Sequence, residues 1–182
     1  LTALQLTGYL NDLWRYRVND STWTWISGNN TVGQTRGVQG VYGVYGVKGI
    51  PSPTNYPGGR REAVGWFDSL RQEFWLFGGA VSFFGMFVIP ITTKTCFVSS
   101  IEFVLDNLND LWRYRVSDST WTWMSGSNAT NQKGVYGTKG NASIENVPGA
   151  RSGAVGWFDS SRQELWLFGG SDSGANLGAS CL

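Results

Sequence analysis

NDLWRYRV at Asn11–Val18, followed by STWTW at Ser21–Trp25, occurs twice in this 182-residue chain. The second copy, Asn109–Trp123, differs at one of fifteen positions, where Ser117 replaces Asn19. Bulky and polar residues alternate within the stretch. Trp14, Tyr16 and Val18 fall on one side of an extended chain, and Leu13, Arg15 and Arg17 on the other. Asn19-Asp20-Ser21 supplies a polar turn. Trp23 and Trp25 then alternate with Thr22, Thr24 and Ile26. The pattern predicts a β-hairpin whose residues suit a pleated, half-buried surface.

A second block is also doubled. AVGWFDSLRQEFWLFGG at Ala63–Gly79 returns as AVGWFDSSRQELWLFGG at Ala154–Gly170. Each copy predicts a strand (Ala63–Phe67), a turn at Asp68–Arg71, and a second strand (Glu73–Phe77) ended by Gly78-Gly79, a pair that suits positive φ or a bulge. All ten tryptophans lie in these four blocks. Eight strands in four hairpins are expected, with no amphipathic helix. Trp14, Trp25, Trp66 and Trp75 occupy alternating strand positions, which favours packing between layers over an exposed sugar-stacking platform.

Composition agrees with an all-β chain. Glycine is abundant at 25 residues, aromatics reach 15% and charged residues only 15%. The net charge of +1 implies neither a nucleic-acid nor a membrane partner. There is no histidine, which removes the commonest general base and the commonest transition-metal ligand. Cys96 and Cys181 sit in dissimilar segments and read as free thiols, with a disulfide between them the alternative. The phosphate-loop, GxSxG, HExxH and clustered CxxC patterns do not occur. The carboxylates of Asp20, Asp68, Asp118 and Asp159 fall in turns, where Asp is expected for backbone reasons. No catalytic residue, cofactor or metal ligand is therefore assigned.

The linkers repeat as well. GVYGVKG at Gly43–Gly49 parallels GVYGTKG at Gly134–Gly140, and PGGR at Pro57–Arg60 parallels PGAR at Pro148–Arg151. Residues 80–105 depart from everything else, holding five of the ten phenylalanines and no Trp or Tyr. Interrupted by Pro90 and Lys94, that segment is too short for a membrane span and reads as an extra strand pair or a covering loop.

The ordered combination of WLFGG, an aromatic strand (DLWRY), a turn and a tryptophan strand (TWTW) resembles the kelch repeat of β-propellers. NDLW, GVYGxKG and PGxR resemble the tryptophan-rich, galactose-oxidase-like kelch arrays. The repeat here spans 91 to 98 residues, longer than the roughly 50 of that family. The resemblance implies an all-β, partial β-propeller of kelch type, with four-stranded antiparallel blades. Residues 1–28 would be the outer half of a blade and 29–61 an inter-blade loop. Residues 62–126 would form a complete blade with the apolar insert 80–105. A second loop (127–152), the inner half of the next blade (153–170) and a tail (171–182) would follow. About two blade equivalents cannot close a ring, so the chain is expected to be a piece of a longer protein whose neighbouring blades are its first partners. The copper site of galactose-oxidase-like enzymes draws on histidines, which this chain lacks.

Counting strands in such a meander puts every short turn at one end and every long linker at the other. The three linkers (29–61, 80–108 and 127–152) together carry +5 against −4 for the remainder. The expected function is a non-enzymatic binding or scaffolding module whose basic long-loop face meets a protein or an acidic glycan. Tyr45, Lys48, Arg60, Tyr136, Lys139 and Arg151 are the candidate binding residues. The competing structural reading has Arg60 and Arg151 bonding loop carbonyls. The alternative function is the propeller portion of a larger secreted carbohydrate-active enzyme. Sequons at Asn19, Asn29, Asn128 and Asn141 lean towards an extracellular setting without fixing the compartment.

Overall fold

The computed structural model describes residues 8–31, 34–35, 38–39, 42–85 and 102–172. Cys96, Cys181, Pro90 and most of the tail fall outside them. The described residues are all-β and contain no helix. Ten strands appear in chain order: β1 (Leu13–Arg17), β2 (Thr22–Ser27), β3 (Gln34–Thr35), β4 (Val38–Gln39), β5 (Val64–Asp68), β6 (Glu73–Gly85), β7 (Glu102–Arg115), β8 (Thr120–Ser125), β9 (Val155–Asp159) and β10 (Glu164–Phe168).

The centre is an antiparallel meander, β5–β6–β7–β8. Two-stranded hairpins lie before it (β1–β2) and after it (β9–β10). This arrangement is consistent with part of a β-propeller. The two NDLW hairpins share one register. Trp14 faces Trp25 and Tyr16 faces Trp23, just as Trp112 faces Trp123 and Tyr114 faces Trp121. Each short turn ends on a residue with positive φ, at Ser21, Gln72, Ser119 and Gln163, a left-handed step that lets the loop rejoin a twisted hairpin.

Two points differ from expectation: ten strands are described where eight were expected, β3 and β4 falling within the 29–61 linker, and one strand boundary moves. The strand after Glu73 does not stop at Gly78-Gly79. Both glycines take positive φ (61° and 98°) and absorb a shift in register between Phe77 and Gly79, after which β6 continues to Gly85. The described parts of the apolar insert form the paired strand extension, with Ala80 facing Asn107 and Gly85 facing Glu102. β4 adds to its edge through Val38–Phe83 and Gln39–Ser82.

Two apolar clusters join the three units. Val64, Trp66 and Phe77 are buried against Ala154, Phe158, Leu165 and Leu167 of the following hairpin. Trp112, Tyr114 and Trp121 are buried against Leu13 and Ile26 of the preceding one. The first of these seams (the inner seam below) thus joins β5–β6 to β9–β10, and the second joins β7–β8 to β1–β2. Two indoles bond across these seams: Trp66 Nε1 donates to the Trp166 carbonyl (3.2 Å) and Trp121 Nε1 to Ser27 Oγ (3.2 Å). Gly156 permits the close approach at the inner seam, since a Cβ there would lie 2.5 Å from Val64 Cγ1 and 2.6 Å from the Trp66 ring.

The expectation that tryptophans pack between layers holds where both sides of a seam are present. Trp66 is buried and Trp75 half-buried, but Trp14 and Trp25 remain 49% and 45% exposed. No described element covers the outer face of β1–β2, whereas the counterpart residues Trp112 and Trp123 carry Tyr45 against their rings.

Candidate functional site

The recurring loop motifs converge on one carboxylate. Asp110, the Asp of the second NDLW, is fully buried. Its Oδ2 accepts from the Trp112 indole (2.7 Å), from the Tyr45 hydroxyl (2.6 Å) and from Arg60 Nη2 (2.9 Å); its Oδ1 accepts from Arg60 Nη1 (2.7 Å). GVYG, PGGR and NDLW, far apart in the chain, therefore build one closed set of charge-assisted hydrogen bonds. Arg60 also donates to the Gly58 and Gly78 carbonyls. Burial alone would lower the guanidinium, but the Asp110 charge and its hydrogen bonds, joined by Tyr45, together outweigh this and hold it above its ordinary value. Burial, reinforced by the Asp110 charge, pushes the Tyr45 hydroxyl well above the usual tyrosine range.

The same loop is strapped along β8. Gly49 N–H donates to the Trp123 carbonyl (2.7 Å), Ser52 N–H to that of Trp121 (3.4 Å) and Lys48 Nζ to that of Gly126 (2.8 Å). Lys48 Nζ also sits 4.4 Å from the centre of the Trp123 ring, a cation–π contact. Tyr45 packs on both Trp112 and Trp123, at 4.8 and 5.1 Å between ring centres.

The second linker repeats the internal geometry of the first. Val135 and Val147 form the bridge that Val44 and Tyr56 form earlier. Asn146 Nδ2 donates to the Asn141 carbonyl as Asn55 does to Ile50. Arg151 donates to the Gly149 (3.0 Å) and Gly169 (2.9 Å) carbonyls, matching Arg60 on Gly58 and Gly78. The cross-contacts differ. Among the described residues no carboxylate meets Arg151, and no ring stacks on Tyr136, which is 74% exposed. Lys139 is exposed as well.

The six candidate residues thus divide into two equivalent triads. Tyr45, Lys48 and Arg60 are turned onto the chain's own Asp110, Trp112 and Trp123. Tyr136, Lys139 and Arg151 occupy the equivalent places in the second loop, where Arg151 is fixed by its carbonyl bonds and Tyr136 and Lys139 face outward. Arg60 and Arg151 both bond loop carbonyls, those of Gly58 and Gly149. Asp110 itself was not singled out from the sequence, although its recurrence beside GVYG and PGxR was the available signal.

The turn carboxylates have backbone roles. Asp20 and Asp118 each accept from the N–H and hydroxyl of a Thr two residues on, and Asp68 and Asp159 accept from two backbone N–H groups and from Arg71 or Arg162. The Thr120 hydroxyl, with Arg115, holds Asp118 below the usual carboxylate range, and the Ser161 hydroxyl, with Arg162, does the same for Asp159. Among the described residues no group of three or more Cys, Asp or Glu side chains is placed to hold a metal, and no helix is long and apolar enough to cross a membrane.

No protein-family model matches the chain. No curated protein matches it either.

Proposed function

We propose that the chain is a non-enzymatic binding and scaffolding module of kelch-type propeller architecture, and that Tyr136, Lys139 and Arg151 form a recognition site for a carboxylate-bearing partner. One observation carries this. The equivalent residues Tyr45 and Arg60 hold a carboxylate within the chain, at 2.6 to 2.9 Å, while Tyr136 and Arg151 keep the same loop scaffold with no carboxylate among the described residues. A guanidinium fixed in advance by its own loop, as Arg151 is, loses little freedom on binding. A guanidinium paired with a tyrosine hydroxyl suits a planar acceptor such as Asp, Glu or a uronic acid. The basic balance of the linkers adds attraction at long range.

Calorimetric titration of the chain with an oligoglutamate peptide and with an oligogalacturonate tests the proposal. Binding that weakens with salt, disappears in a Lys139→Ala/Arg151→Ala variant and survives in Lys48→Ala is expected. Binding that survives Lys139→Ala/Arg151→Ala would contradict it.

A further inference from the structure

We infer that the chain associates head to tail with a second copy of itself, the β1–β2 hairpin of one copy completing the sheet begun by β9–β10 of another. The inference rests on the carboxylate site proposed above and names its occupant, a second copy taking the place expected of the neighbouring blades.

The complete unit is the template. There β6 pairs with β7, Glu73 facing Arg115, Phe74 facing Tyr114 and Leu76 facing Trp112. β10 repeats the first part of β6 (ELWLF against EFWLF), and β1 repeats the last part of β7 (LWRYR). Among the described residues β10 pairs only with β9, and β1 only with β2. Each therefore offers an unpaired edge. Transferring the register places Glu164, Leu165 and Leu167 opposite the second copy's Arg17, Tyr16 and Trp14.

Charge and shape agree with that placement. The second copy's Asp12, which here accepts only from the Trp14 indole among described partners, falls where Asp110 sits, on Arg151 and Tyr136. Its Arg15 and Arg17 fall on Glu164, as Arg113 and Arg115 lie 3.6 Å from Glu73. An apolar cavity of about 130 Å³ is lined by Leu111, Ser125, Val147, Leu165 and Leu167 among others. The counterparts of four of these, Leu13, Ser27, Tyr56 and Leu76, meet the Trp112, Tyr114 and Trp121 cluster in the occupied seam. The cavity thus lies on part of the surface against which the second copy's Trp14 and Trp23 would pack.

Exposure tells the same story from both ends. Val64, Trp66 and Phe77 are at most 7% exposed, whereas their repeats Val155, Trp157 and Phe168 are 61%, 49% and 71% exposed. On the opposite end, Trp121 is 7% exposed and its repeat Trp23 is 65%. Such clusters of large apolar side chains mark an interface. The contact is heterologous, so copies add in one direction and close into a ring if the rotation allows. Each junction completes one four-stranded unit. Rings of roughly two to four copies would give propellers of four to eight units.

Sedimentation of the full chain tests this. The wild type is expected at a multiple of 20.0 kDa. Asp12→Lys and Arg151→Glu each break the buried pair and weaken association roughly 100-fold or more. Because Arg151 also holds its own loop, Tyr136→Asp, at a solvent-facing ring, serves as a second tail variant. Mixing Asp12→Lys with Arg151→Glu, or with Tyr136→Asp, joins the intact tail of one to the intact head of the other and restores a dimer. A wild-type chain at 20.0 kDa up to concentrations on the order of 100 μM would overturn the inference. So would an assembly indifferent to all three substitutions, or a mixture that stays monomeric. Oligoglutamate binding to a monomeric wild type, abolished by Arg151→Glu, would sink self-association and leave the carboxylate site standing. Neither binding nor assembly would remove both.

Discussion

Arg60 and Asp110 form a bidentate pair sealed from solvent, with Nη1–Oδ1 at 2.7 Å and Nη2–Oδ2 at 2.9 Å, and side-chain exposures of 6% and 0%. Fifty residues separate them in the chain. The pair ties the loop entering the central unit to that unit's third strand. Removing one member leaves an uncompensated buried charge, which costs about 3–5 kcal/mol. Asp110→Asn and Arg60→Ala should each lose that much in denaturant unfolding. Arg151→Ala, which in the monomeric chain breaks only carbonyl bonds among the described residues, should lose about 1 kcal/mol when unfolding is measured at concentrations too low for assembly. Equal losses at Arg60 and Arg151 would contradict the pairing.

Tyr45 gives the fold an alkaline limit. Burial and the Asp110 charge raise its folded-state pKa above the unfolded value of 10.0. The folded state then holds the phenolic proton more tightly than the unfolded chain. The contribution is fully present below pH 10 and is lost as pH rises further. Tyr45→Phe should flatten the fall in stability measured between neutral pH and the region above pH 10. An unchanged alkaline slope would refute the role.

Two glycines with similar φ should respond differently to a methyl group. Gly126 has φ +78°, and an added Cβ would lie 1.9 Å from the Asn109 carbonyl oxygen. Gly140 has φ +86° with nothing within 4 Å. Gly140→Ala should cost about 1–2 kcal/mol, the left-handed penalty alone. Gly126→Ala should cost clearly more, because backbone must shift. Thermal unfolding of the two variants makes the comparison.

Gly156 and Gly65 occupy the same place in their repeats but not the same surroundings. Gly156→Ala drives a Cβ into Val64 and Trp66, so the inner seam should loosen and Trp66 emission should shift to the red. A Cβ at Gly65 meets only the Trp75 carbonyl, at 3.8 Å. Gly65→Ala should leave monomer stability within about 1 kcal/mol. It should nonetheless weaken assembly, since the head-to-tail contact brings the second copy's Trp66 counterpart, Trp157, onto that spot.

The hairpins were legible because alternation in NDLWRYRV and STWTW leaves one pairing that keeps the tryptophans on a common face. The continuation of β6 past Gly78-Gly79 was hidden, since two glycines stop a strand as readily as they bulge it. The Asp110 network was hidden for a different reason. Tyr45 and Arg60 lie 65 and 50 residues from Asp110, and no local pattern reports so distant a contact. Only the joint recurrence of GVYG, PGxR and NDLW hinted at it. The difference between Trp112 and Trp14, identical in local sequence and opposite in burial, depends on what lies across the seam.

Directed disulfide formation tests the central claim at residue level. With Cys96 and Cys181 replaced by Ser, a chain carrying Leu165→Cys is mixed with one carrying Tyr16→Cys, the positions that repeat the facing pair Phe74 and Tyr114. Facing residues in antiparallel strands bring Cβ atoms within about 4.5–5.5 Å, close enough to bridge with little backbone movement. Oxidation should yield a linked species of twice 20.0 kDa, while Leu165→Cys with Leu13→Cys, out of register, should not. Failure of the in-register pair to link, or equal linking of both pairs, would contradict completion of one copy's sheet by the hairpin of another.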